Sequence, residues 1–179
     1  MKNIEIWRLS LPLRVLLGIF VVLDSIEFIK IFGSALIFDD TTLLYGMIDL
    51  NISKPLALWQ VLLSMLFLGI ALIAIWLVFL AVNQFFSISR RNGFFVTGAI
   101  KTLRRMGFSL ILLWVGMALM ETTLPWVLTY KIPPMEHAKI SWLPFDTDMI
   151  TLLIGFVLLL MASALNEGRT IDDENKQII

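Results

Sequence analysis

This chain reads as an all-α polytopic membrane protein, four transmembrane helices in one bundle with N- and C-termini cytoplasmic. Three observations predict that class. Of 179 residues, 59% are hydrophobic and only 16% charged, with a mean hydropathy of +0.89, whereas soluble domains carry about a quarter charged residues. Apolar runs fall at 11–32, 56–86, 97–124 and 147–166, and about 20 apolar residues cross a hydrocarbon core roughly 30 Å thick. The third observation is charge asymmetry. With the N-terminus in the cytoplasm, the inner segments hold Lys2, Arg8, Arg14, Arg90, Arg91, Lys101, Arg104, Arg105, Arg169 and Lys176. The opposite side holds Lys30, Lys54, Lys131 and Lys139, so the basic residues divide ten to four, in the sense of the positive-inside rule. Residues 1–179 form a single membrane domain, of which 167–179 is a cytoplasmic tail.

The elements follow in order. Met1–Ser10, with Trp7 beside Lys2 and Arg8, has the character of a short interfacial segment. It leads into the first span without a small-residue cleavage site, as a retained helix rather than a signal peptide, and Pro12 lies near the start of that span, where a missing N–H matters least. Gly33–Pro55 is a connection, rich in Asp and turn formers but carrying Leu43, Leu44, Tyr45, Met47 and Ile48, and is expected to lie on the membrane surface or over helix ends. The run 56–86 is longer than a hydrocarbon core requires, so it tilts or projects at its Asn83–Gln84 end. Asn92-Gly93 is a turn signal. Thr97 is a candidate N-cap for the third helix, Pro125 is expected to end it, and Gly168 to end the fourth.

Two stretches resemble signatures of one bacterial family. NGFFVTGAIKTLRRMG couples a short turn to an amphipathic basic helix start that ends in Gly107, and ALNEGRTIDDENKQII couples Glu-Gly to an acidic cluster and an apolar end. Together, in this order, they resemble the domain of unknown function 2975 family of four-helix membrane proteins. Asn175-Lys176 departs from the residues that family often has there. The resemblance implies location in the bacterial inner (cytoplasmic) membrane and the fold already described, but no activity. Genes of that family often neighbour a small helix-turn-helix regulator, which implies a cytoplasmic protein partner.

Four polar constellations invite a functional reading. Asp24 and Glu27, three apart in the first span and followed by Lys30, form an acidic pair in the outer half, and Glu121 near the outer end of the third helix completes a candidate ion, proton or cationic-ligand site. The alternative is a structural Glu27–Lys30 or Lys30–Glu121 pair. Lys101, Arg104 and Arg105 share one face of the third helix, and with Arg90 and Arg91 they fix orientation and can bind anionic headgroups, each worth about 1 kcal/mol. The same face can pair with the tail acids Glu167, Asp172, Asp173 and Glu174, or dock a cytoplasmic protein. His137 lies among Glu136, Asp146 and Asp148, but no paired-histidine spacing marks a metal site.

These features exclude several function classes and leave two. The chain has no cysteine, hence no thiolate chemistry. No nucleophile–base pair, phosphate loop, cofactor motif or metal motif is present, so an enzyme is not expected. The net charge is zero and the basic patch is short and lies against the membrane, so direct nucleic-acid binding is not expected either. A non-enzymatic sensory or regulatory partner of a cytoplasmic protein fits best. The alternative is a small transporter or ion-conducting protein, built as a homo-oligomer, with Asp24, Glu27 and Glu121 along its path.

Overall fold

The computed structural model describes residues 2–47, 55–92, 96–130 and 149–177, with side chains over 11–47, 55–90, 96–130 and 149–175. The described elements are all helical: α1 (Lys2–Ile37), α2 (Thr42–Gly46), α3 (Leu58–Asn92), α4 (Thr97–Thr129) and α5 (Met149–Gln177). Three of these, over Leu58–Arg90, Thr97–Thr129 and Met149–Asn175, are long and apolar enough to cross a membrane. The fourth long helix, α1, interrupts its apolar sequence with Arg14, Asp24, Glu27 and Lys30.

Every long helix runs past its expected C-terminal end. α1 continues through the supposed interfacial segment and past Gly33 to Ile37, so Pro12 lies in its interior. It ends in a left-handed residue, Asp39 at φ 53°, a conformation that Asp tolerates better than most, and the Phe38 and Asp40 N–H groups both donate to the Ser34 carbonyl at 3.1 Å. Pro125 does not stop α4. The interruption removes one backbone hydrogen bond, at a cost of about 3 kcal/mol in a free helix, but Pro125 is buried between Leu124 and the Val127–Leu128 turn. The packing holds the turn, and the Thr129 hydroxyl donates to the Pro125 carbonyl at 2.7 Å. Gly168 does not stop α5 either. Thr170 donates to the Asn166 carbonyl at 3.0 Å and Arg169 pairs with Asp173 at 3.5 Å, one helical turn on, so the sequence expected as a tail is the last part of a helix.

The chain divides into two compact units, and the long helices α1, α3 and α4 each contribute a part to both. The first comprises Met1–Val21, Ala74–Leu112 and Ile150–Ile179. In it α4 and α5 cross at Gly107 and Gly155, where a side chain on Gly107 would lie 2.8 Å from the Gly155 carbonyl oxygen. Glycine at both places lets the backbones meet, as small residues do between membrane helices. Ile100, Leu103 and Ala162 form the buried cluster beside the crossing, flanked by Phe85, Met106, Leu158 and Leu165.

The second unit comprises Val22–Ile73 and Leu113–Met149. The short helix α2 is its plug: Leu44 is 0% and Tyr45 1% exposed. Leu44 joins Ile31, Phe32, Ala35 and Val61, and Tyr45 joins Leu124 and Leu128. The connection therefore packs against helix segments, one of the two placements expected of it. Gly116 admits Ala71, whose backbone would lie 3.1 Å from a side chain placed there.

Candidate functional site

The first unit contains a cleft of about 710 Å³, lined by Val96 and Thr97 at the start of α4 and by Ala164, Leu165, Gly168, Arg169, Asp172 and Asp173 of α5. Its polar floor follows from how α4 begins. Val96, not Thr97, takes the N-cap place, its carbonyl accepting from the N–H groups of Ala99 at 2.9 Å and Ile100 at 3.2 Å. The Thr97 hydroxyl is left to accept a hydrogen bond from the Arg169 guanidinium. Arg169 thus bridges two partners, Thr97 on α4 and Asp173 on its own helix. The cleft carries both signs of charge and the Thr97 hydroxyl beside the apolar Val96, Ala164 and Leu165.

The four tail acids all lie on α5. Asp173 pairs within α5. Glu167, Asp172 and Glu174 are exposed along the same helix. Lys101, Arg104 and Arg105 are exposed on α4. Arg105 donates a long hydrogen bond of 3.4 Å to Gln84, and Arg104 borders a smaller groove described below. Arg90 is exposed at the end of α3, while the side chain of Arg91 lies outside the described residues.

The acidic pair of α1 belongs to the second unit. Asp24 is half-buried, and Glu27 and Lys30 are exposed. Glu121 is half-buried on α4. Among the described residues Lys30 forms no ion pair with Glu27. His137, Glu136, Asp146 and Asp148 lie outside the described residues.

Sequence reasoning missed the best-connected polar groups. Arg14, noted only for its charge, donates from Nε to Asn83 Oδ1 at 2.6 Å, and Asn83 Nδ2 donates onward to the Phe79 carbonyl at 3.0 Å. Two lone polar residues inside apolar runs were the available signal, since such groups seek each other where water is absent. Gln60 was likewise unmarked. It is buried, its Oε1 accepts from the Ala57 N–H at 2.9 Å and its Nε2 donates to the Val127 carbonyl at 2.6 Å. One amide therefore caps the start of α3, in the manner of the third residue of a capping box, and satisfies a carbonyl in the last turn of α4. Tyr45 adds a long 3.5 Å hydrogen bond to the next carbonyl, Leu128. Burial pushes its phenol above the ordinary value of 10.0. At the exposed end of α1 the Thr42 hydroxyl, at 2.6 Å, and the Thr42 N–H, at 3.0 Å, donate to Asp40 and hold its carboxyl below 3.8.

No family model, no curated protein and no solved structure matches this chain.

Proposed function

We propose that this chain is a four-span protein of the bacterial inner membrane, with both termini cytoplasmic, that acts as a non-enzymatic regulatory partner holding a cytoplasmic protein at the membrane. Three helices of spanning length and apolarity support the membrane placement. α1 supplies the fourth span: its residues Leu11, Val15, Ile19, Val22, Ile26 and Ile29 are large, apolar and exposed, as a lipid-facing surface is. The resemblance to the domain of unknown function 2975 family points the same way, and makes a helix-turn-helix regulator the first partner to test.

The observation that carries the regulatory reading is the course of α5. It runs unbroken through Gln177, past the cleft, with Asp172 on the cleft wall and Glu167 and Glu174 exposed. An acidic helix beside a mixed apolar and charged cleft is a ready platform for a basic protein surface. The test is capture of the neighbouring regulator by purified protein in detergent, with Glu167, Asp172 and Glu174 changed together to Lys. Binding that is lost in the variant and weakened by salt supports the platform. Equal binding by both proteins, or none by either, rejects it.

One observation favours the transporter alternative: Asp24 is a half-buried acid in the middle of α1, with Glu27 one turn away. Proton or monovalent-cation flux in proteoliposomes, abolished by Asp24→Asn with Glu27→Gln, would establish that reading in place of the first. Absence of flux eliminates it.

A further inference from the structure

A second concavity of the first unit, a groove of about 340 Å³, is lined by Arg104 and Phe108 of α4 and by Phe156, Leu159, Leu160 and Ser163 of α5. We propose that this groove binds an anionic phospholipid, its phosphate on Arg104 and an acyl chain along Phe108, Phe156 and Leu160. The inference rests on the membrane placement proposed above and deepens it from general headgroup attraction to a built site.

The groove follows from the Gly107–Gly155 crossing. The backbones touch there, and the next residue on each helix, Phe108 and Phe156, becomes a wall. These rings are 59% and 50% exposed, and Leu160, one turn along α5, is 70% exposed. Leu153, Phe156, Val157 and Leu160 form one exposed apolar stripe on α5 at helical spacing. An acyl chain in the groove is therefore continuous with the lipid around it.

Charge identifies the other end of the ligand. Arg104 is the only charged residue of the lining and no acid shares it. Among the described residues the guanidinium has no ion-pair partner. It lies seven residues into α4, about 10 Å along the axis, the depth of a headgroup when α4 starts at the cytoplasmic surface. A guanidinium presents paired N–H donors that match phosphate oxygens. Lys101 is exposed three residues earlier, on the same helix face. A soluble anion would use the cation but leave the aromatic walls unused, whereas a phospholipid uses both.

The experiment compares phosphatidylglycerol with phosphatidylcholine, using protein reconstituted in mixed nanodiscs and read by native mass spectrometry for retained lipid. Wild-type protein is expected to retain phosphatidylglycerol over phosphatidylcholine by at least fivefold. Arg104→Gln is expected to abolish the preference and Arg104→Lys to halve it. Phe156→Ala, which leaves charge unchanged, is expected to reduce it as well. A preference lost in Arg104→Gln but intact in Phe156→Ala means diffuse attraction to headgroups and overturns the groove. So does displacement of the lipid by inorganic phosphate. A phosphatidylglycerol analogue with a photoreactive acyl chain needs no variant: crosslinks at Phe108, Phe156 or Leu160 support the site, and crosslinks confined elsewhere refute it. Carbonate-washed membranes separate the two levels of inference. Protein absent from them fails the membrane reading, and protein present but without lipid preference fails this one alone.

Discussion

Replacing glycines one at a time by alanine tests the close helix crossings directly. Gly107→Ala puts a methyl 2.8 Å from the Gly155 carbonyl oxygen and 2.8 Å from Leu159 Cγ. Ordinary contact begins at 3.4 Å, so the backbones must part by about 0.6 Å, 3.4 less 2.8, at that point. The Leu159 tip can turn aside, but a helix carbonyl cannot. A gap of 0.5–1 Å forfeits about a quarter to a half of each atomic contact around it, and overpacking of this kind costs about 1–3 kcal/mol. Against this, alanine gains about 0.5–1 kcal/mol over glycine in any helix interior. Gly69 and Gly168 are the internal controls, because nothing lies within 4 Å of a side chain at either. There the propensity gain acts alone, so Gly107→Ala should be less stable than either control variant by about 1–3 kcal/mol, the overpacking term itself. Gly155→Ala meets Ile111 at 3.0 Å and the Gly107 oxygen at 3.1 Å, and Gly116→Ala meets the Ala71 backbone at 3.1 Å, so both should fall between. The measurement is reversible unfolding in mixed micelles titrated with a denaturing detergent, followed by far-UV circular dichroism. Gly107→Ala matching or exceeding the stability of Gly69→Ala would show that α4 and α5 do not cross as described.

Three further outcomes follow from the polar contacts. Asn83→Leu should destabilise the first unit by about 1–3 kcal/mol by stranding the Arg14 guanidinium, and Arg14→Leu with Asn83→Leu should recover most of the loss; a double-mutant cycle without coupling rejects the contact. Gln60→Leu leaves both the Ala57 N–H and the Val127 carbonyl unpaired, with an expected cost of about 1–3 kcal/mol and faster amide exchange at the start of α3; unchanged exchange contradicts the double cap. For Tyr45 the folded phenol has the higher pKa, so its contribution is complete below pH 10.0 and declines as pH rises through the folded value, because the unfolded chain ionises first; Tyr45→Phe should remove that alkaline slope in the denaturation midpoint, and an identical slope in both proteins refutes the burial account.

The helices were legible because apolar composition and length announce a spanning segment whatever it packs against. Their ends were less so. Pro125, Gly168 and Gly33 are local stop signals, and each was overruled: Pro125 by packing at Leu124 and Leu128, Gly168 by the Arg169–Asp173 pair one turn later, Gly33 by the helix running on to Ile37. The candidate site was legible in its residue types but not in its partners. Arg169 was counted as one more inner positive charge, yet it links Thr97 to Asp173. The basic face and the tail acids were natural partners by charge, and only the structure shows that those acids lie on the last turns of α5.

By itself the sequence determined long helices apolar enough to span a membrane, as the described residues show, since hydrophobic length is a property of a segment. Tertiary structure alone decided that Gly107 meets Gly155, that Arg14 meets Asn83, and that Gln60 closes two helix ends. Each is a contact between residues far apart in the chain, set by the axial register of one helix against another. That register depends on which small residues let backbones approach and which polar groups find each other away from water, and neither is encoded in the period of a single helix.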